Sequence, residues 1–151
     1  FFDALVDRFA ASDDAALRGR ILSAIARTKD PELSLRARSL ALDARVRLNE
    51  VSRLLYAQMG MRETRDATWQ WIKAHFDEIL HRIAAENAGD TPWLAASFCD
   101  AEHAEDVEQF FASRVASLPG GPRNLAGTLE SILLCAAKAA ALRTSGDTIL
   151  R

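Results

Sequence analysis

The side chains that could do chemistry are few and scattered. The chain has three histidines, His75, His81 and His103, and two cysteines, Cys99 and Cys135. His75 and His81 are six positions apart, so on one helix they point about 120° away from each other. A pair at i and i+4 could share a metal from one helix face; this pair could not. All three histidines read as surface or internally satisfied groups. Cys99 and Cys135 both fall inside apolar helical patterns and read as buried thiols, with a disulfide or a reactive thiol as the alternative. The acid pairs Asp13-Asp14 and Glu105-Asp106 fall in first helical turns, where the helix dipole favours negative charge without any catalytic role. No Ser-His-Asp or Cys-His set can be assembled. The expectation is a chain with no catalytic residue, metal site or cofactor of its own.

Two other features could bind rather than react. Arg36, Arg38, Arg45, Arg47 and Arg53 crowd residues 36–53, offset only by Asp43 and Glu50. They read as a solvated, ion-paired face, or as a groove that attracts peptide carboxylates, for which the guanidinium fork is well shaped. The stretch PGGPRNLAGTLE at 119–130 sets a glycine pair beside Arg123. A phosphate loop would place its glycines between a strand and a helix, with Lys and Ser/Thr following. Here a helix precedes and no lysine follows. Pro119 and Gly120 can end one helix, Gly121 can cap the next, and Pro122 suits its first position. The stretch reads as a joint, with Leu125, Leu129, Ile132, Leu133 and Ala136 as the core stripe of the helix that follows. Arg123 is expected to steady the joint by holding a neighbouring carboxylate or helix end.

The elements that carry these groups are helices. The chain has 151 residues, 49% hydrophobic and 26% charged, which suits one globular domain. Its net charge of −2 shows none of the basic excess expected of a nucleic-acid or acidic-membrane surface. No apolar run approaches the roughly 18 residues that span a bilayer. The chain opens at Phe1-Phe2 inside an apolar pattern and without a methionine, as a piece of a longer protein would.

Helix formers dominate and no stretch alternates with a strand period. A first helix is expected at Asp3 to Ala11. A second, capped by Ser12, buries Leu17, Ile21, Ala24, Ile25 and Thr28. Asp30-Pro31 starts a third, with Leu33, Ala37, Leu40 and Ala41 on one stripe and Leu35, Leu42 and Val46 on another. Asn49-Glu50 starts a fourth that buries Val51, Leu54, Leu55 and Met59 and stops at Gly60. A long helix from Glu63 to Ala85 carries Trp69, Ile72, Phe76, Ile79, Leu80 and Ile83. A polar linker and a short helix at Pro92 follow. Asp100 caps the next helix, which carries Val107, Phe110, Phe111, Val115 and Leu118. The last runs from Arg123 to Arg143 and stops at Gly146. About eight helices result, several with two apolar stripes, as in a stacked array. The caps at Ser12, Asp30 and Asn49 give a helix-pair period of about 37, near the HEAT and armadillo range. The reading is all-α: an α-solenoid of antiparallel helix pairs forming one domain over 1–151, with a compact bundle as the alternative.

Four motifs in order carry a resemblance over nearly the whole chain. They are Thr28, Asp30, Pro31 and Leu33; Trp69, Trp71, Lys73, Phe76, Asp77 and Leu80; Phe98, Cys99, Val107, Phe110 and Phe111; and Gly120, Arg123, Leu125, Thr128, Leu129, Glu130 and Ile132. Together the chain resembles the C-terminal helical domain of aminopeptidase N-type zinc metallopeptidases, the group that includes the endoplasmic-reticulum and puromycin-sensitive aminopeptidases. The resemblance implies an N-terminally truncated HEAT- or armadillo-like solenoid. In the whole enzyme it would cap the active-site chamber and govern peptide access. The partners implied are the catalytic domain of the same polypeptide and peptide substrates, with no nucleic acid and no membrane. Zinc and the HExxH and GAMEN motifs belong to the family's catalytic domain, and neither motif occurs here. The implied compartment is cytoplasmic, with the periplasm or secretion as alternatives. The competing reading is a free-standing helical-repeat adaptor that binds a protein in its groove.

Overall fold

A computed structural model describes the backbone of residues 1–149, with side chains through Thr144. Among the described residues it is all-α, without strands. It divides into two compact units, Phe1–Ala85 and Glu86–Arg151.

The first unit begins with α1 (Phe2–Ala10) and α2 (Ala15–Ala26). Asp14, not Ser12, caps α2: its carboxylate accepts from the backbone N–H of Ala16 at 2.8 Å and of Leu17 at 3.0 Å. Ser12 instead accepts from the Asp14 N–H. α3 (Pro31–Ser39) starts as expected, with Asp30 accepting from Leu33 N–H and Pro31 in the first turn. It ends early, in a 3₁₀ turn over Leu40–Leu42. Asp43 closes that turn, since its N–H bonds Leu40 O and its carboxylate accepts from Arg45 N–H, an Asx-type turn that competes with helix. α4 (Leu48–Met59) starts one residue before the expected Asn49 and stops at Gly60. Its Val51, Leu54, Leu55 and Met59 are buried. α4 is the hub of this unit, packing on α2, on α3 and on α5 (Arg65–Ala74).

The single long helix expected over 63–85 is two helices. His75 separates α5 from α6 (Phe76–His81), with φ −119° and ψ 21°. Its Nδ1 meets Trp71 O at 2.9 Å and its ring stacks on Trp71 at 4.5 Å. A ring bonded back into its own last turn holds the chain out of helical register. His75 and His81 therefore do not share a helix.

In the second unit an irregular 3₁₀ segment spans Ala85–Ala95 where a linker and short helix were expected. α7 (Ala101–Phe111) is capped by Asp100, which accepts from His103 N–H. α7 packs on α8 (Gly121–Ile149). Helix α8 runs through Gly146 rather than stopping there.

Between α7 and α8 the PGGP stretch is a joint. Gly120 has φ +72°, a conformation that suits glycine. Asn124 donates to Gly89 O at 3.0 Å and to the Asp90 carboxylate at 2.7 Å, pinning the start of α8 to the 3₁₀ segment. A Cβ on Gly89 would lie 1.9 Å from Pro119 O.

Two expectations about α8 change. Leu125 and Ile132 are buried, but Leu133 is 48% exposed, so the apolar stripe turns to solvent after the first three turns. By length and composition the Gly121–Thr144 stretch is long and apolar enough to cross a bilayer, its most apolar 18 residues having a mean hydropathy of 1.5. Alanines and leucines carry that value, although Glu130 and Lys138 interrupt the run.

Candidate functional site

The five clustered arginines have separate fates. Arg36 is ion-paired with Asp3 and lies over the Phe2 ring. Arg45 is forked onto Asp43, bonding one carboxylate oxygen at 2.9 Å and the other at 2.7 Å. This bond from Arg45 is the main reason the Asp43 carboxyl is held below its usual range. Arg47 faces Asp13 at 3.6 Å. Arg38 is buried and donates to Ser34 Oγ at 2.9 Å, while its Nε has no partner. Burial pushes its guanidinium below the usual value. Arg53 is exposed and has no carboxylate within ion-pair distance among the described residues.

Arg53 is not isolated. It borders an open cavity of about 600 Å³ on the outer face of α2, together with Arg20 and Arg27. The floor of the cavity is small: Ala15, Ala16, Gly19, Ser23 and Ala24. Ala24, expected in the core, is exposed here, and Leu22 and Ala26 take the buried positions. Ser23 spends its hydroxyl on Gly19 O at 2.8 Å. A Cβ on Gly19 would lie 3.1 Å from Arg53 Nη1, so the missing side chain is what lets the guanidinium lie against the helix. Arg20, on α2, and Arg27, the residue just past its last turn, are seven residues apart, roughly 10 Å along the helix axis.

Beneath this face lies a polar core that sequence reasoning missed. Arg18 is 3% exposed and fully engaged. Its Nε and Nη2 donate to the two oxygens of Glu50 at 2.9 and 2.7 Å. The remaining N–H groups donate to Phe9 O, Ser12 O and Arg45 O. Burial alone would raise the Glu50 carboxyl. The bonds from Arg18 and from Arg47 N–H outweigh it and hold Glu50 below its ordinary range. Gln58 does a similar job about two turns further along α4: it accepts from Ser34 Oγ at 2.6 Å and donates to Ala26 O at 2.6 Å.

The remaining singled-out residues are structural in placement. Trp69, Trp71, Phe98, Phe110 and Phe111 are buried. Thr128 is buried and donates to Asn124 O, whereas Arg123 and Glu130 are exposed. No hydrogen bond or ion pair joins Arg123 to another described residue; its neighbour Asn124 holds the joint. Cys99 and Cys135 are not buried thiols. They form a disulfide across a Cα–Cα distance of 5.0 Å, tying the loop before α7 to the middle of α8. Each of the two apolar patterns hides one half of the bridge, so neither betrays it.

His103 sits against the Asp100 carboxylate at 2.7 Å and stacks on Phe98, which accounts for it within the α7 cap. Among the described residues no three His, Cys, Asp or Glu side chains come together as a metal site would need. What the chain holds is a helical frame and a charged cavity.

A family profile, the ERAP1-like C-terminal domain, matches residues 1–134. The chain belongs to the ERAP1-like C-terminal domain family. Two relatives agree with that assignment. This domain is 24% identical over 137 residues to Aminopeptidase M1-D of Oryza sativa subsp. japonica, covering 89% of the chain and 15% of that protein. It is 29% identical over 115 residues to Probable aminopeptidase 2 of Sulfurisphaera tokodaii, covering 75% of the chain and again 15% of the relative. The chain thus spans about 15% of the length of the curated relatives it matches. The resemblance drawn from the four ordered motifs, to the C-terminal domain of aminopeptidase N-type enzymes, holds.

Proposed function

We propose that this domain is the C-terminal part of a zinc-dependent aminopeptidase that removes N-terminal residues from peptides. It covers the active-site chamber and governs which peptides enter, and it carries no catalytic residue. The observation that carries this reading is the family match over residues 1–134, supported by two relatives named as aminopeptidases. Zinc and the peptide-cleaving groups lie in the rest of the parent polypeptide, whose catalytic domain is the partner of this one. Nucleic acid and membrane have no part in the reading. Within the domain, Arg53 is the clustered arginine left open to a peptide carboxylate.

The Cys99–Cys135 bridge supports the periplasmic or secreted alternatives over a cytoplasmic one, because cytosolic reductants keep thiols reduced.

The test is a length series. Intact parent enzyme and a form lacking residues 1–151 are compared on aminoacyl anilides and on peptides of increasing length. The domain's absence should leave anilide turnover nearly unchanged and alter the dependence on peptide length. An unaltered length dependence sinks the access role. Turnover by residues 1–151 alone sinks the claim that the domain is inactive.

A further inference from the structure

Several arginines of the first unit are paired with acids, and three that border one cavity are not. Arg18, Arg36, Arg45 and Arg47 each face an acid. Arg20, Arg27 and Arg53 face none within ion-pair distance among the described residues, and all three border one cavity. Like charges gathered on one wall repel each other and destabilise a fold. The chain is not short of acids to offset them, with 21 Asp and Glu against 19 Lys and Arg. The charges of Asp14 and Arg20 attract each other, but the neighbouring acids have closer contacts of their own. Asp14 caps α2, Asp13 lies toward Arg47 and Glu50 is held by Arg18.

The cavity floor is built of small residues, so the space between the guanidiniums is open rather than filled by the chain itself. Its volume of about 600 Å³ falls in the range of sites that hold a multi-atom ligand. Charge spacing then selects the ligand. Arg20 and Arg27 are rooted roughly 10 Å apart along the α2 axis. A peptide in the polyproline-II conformation has three residues per turn and rises about 3.1 Å per residue, so side chains three residues apart lie on one face, roughly 9 Å apart.

We infer that the cavity lined by Arg20, Arg27 and Arg53 binds an acidic peptide segment in the polyproline-II conformation, with two carboxylate side chains three residues apart on one face. Arg20 and Arg27 each take one carboxylate. Arg53, lying over Gly19, takes the peptide backbone or shares the nearer acid. The choice of a peptide as ligand rests on the aminopeptidase reading; the anion preference does not.

The experiment is calorimetric titration of the 151-residue chain with acetyl-AADAADAA-amide, whose blocked termini leave two aspartates as its charges. The same peptide with both aspartates replaced by asparagine is the first control. Saturable binding of the aspartate peptide is expected, and none of the asparagine one. Arg20→Gln, Arg27→Gln and Arg53→Gln should each weaken it roughly fivefold or more, with unchanged thermal melting because all three side chains are exposed. Arg36→Gln, outside the cavity lining, should leave affinity within about twofold. Equal losses in Arg36→Gln and Arg53→Gln would reduce the effect to general surface charge and overturn the site. Tighter binding of pyrophosphate than of the peptide would mean a compact-anion site and overturn the peptide assignment. No saturation by the aspartate peptide overturns it outright. The readout involves no turnover, so it stands or falls apart from the length-series result.

Discussion

Arg18 and Glu50 form a buried, two-pronged ion pair that joins α2 to α4, and every N–H of the Arg18 guanidinium is used. The pair does more than link two helices. Through Phe9 O and Ser12 O it closes the end of α1, and through Arg45 O it fixes the turn that enters α4. The Phe9 ring lies under the guanidinium at 3.9 Å. A buried ion pair gains stability over its desolvation cost only when its remaining donors and acceptors are met. Here all of the Arg18 donors are.

Removing one partner should therefore be severe. Arg18→Met leaves Glu50 buried and unpaired, and is expected to cost about 3–5 kcal/mol, read as a shift of the urea midpoint. The pH dependence follows from Glu50, whose folded-state pKa is depressed below its unfolded value near 4.5. Its contribution is complete above that value and disappears as pH falls through the lower folded-state pKa. Wild type should lose stability steeply below about pH 4.5, and Arg18→Met much less so in proportion. Parallel acid profiles for the two would remove Glu50 from the account.

Two glycines make opposite predictions. At Gly89 an added methyl would meet Pro119 O at 1.9 Å, and that oxygen belongs to backbone. Gly89→Ala should cost about 3 kcal/mol or more, the range reached when a substitution forces the main chain to move. At Gly19 the obstacle is the mobile end of Arg53, 3.1 Å away, and the position is mid-helix. Gly19→Ala should raise stability by about 0.5–1 kcal/mol. Chemical denaturation of the two variants tests both; a Gly89→Ala protein as stable as wild type would deny the close approach.

Local rules were the most legible part of this chain. Asp30 before Pro31 and Asp100 before α7 mark helix starts through side-chain caps that one residue decides, and both stand where their types place them; Gly60 does follow α4, but with a φ of −70° that any residue adopts. Most of the apolar stripe of α4 needed only its period. Pairings across distant positions were not legible. Nothing near Cys99 points to Cys135, 36 residues on. One signal was present and unused: Arg18 recurs with Leu22, Ile25 and Ala26 on the buried face of α2, and a charge on such a face demands a partner. The arginine cluster was visible as composition, but which arginines are spent on acids depends on tertiary neighbours such as Asp3 and Asp13. Arg20 and Arg27 were overlooked because they lie outside the dense run at 36–53.

The joint between α7 and α8 tests a neighbour against a neighbour. Asn124 bonds Gly89 O and Asp90, whereas Arg123 is exposed. Asn124→Ala is expected to cost about 1–2 kcal/mol, the loss of two bonds with one acceptor on the main chain. Arg123→Ala should stay within about 0.5 kcal/mol of wild type. The reverse ranking in thermal melts would return the joint to Arg123.

The disulfide supplies the last prediction. It closes a loop of 36 residues that contains all of α7, the joint and the first half of α8. A cross-link of that span restricts the unfolded chain and is worth roughly 2–4 kcal/mol. The helix it anchors has little else to hold it beyond its third turn, since Leu133, Leu134 and Leu142 are 48%, 63% and 63% exposed. Reduction, or Cys135→Ser, should therefore lower stability by that amount and loosen α8 near residue 135 more than the first unit. Hydrogen exchange separates the two effects. Amides of residues 132–144 should lose protection on reduction, while those of α4 keep theirs. Equal protection in both redox states would mean that packing against α7, and not the bridge, holds α8 in place.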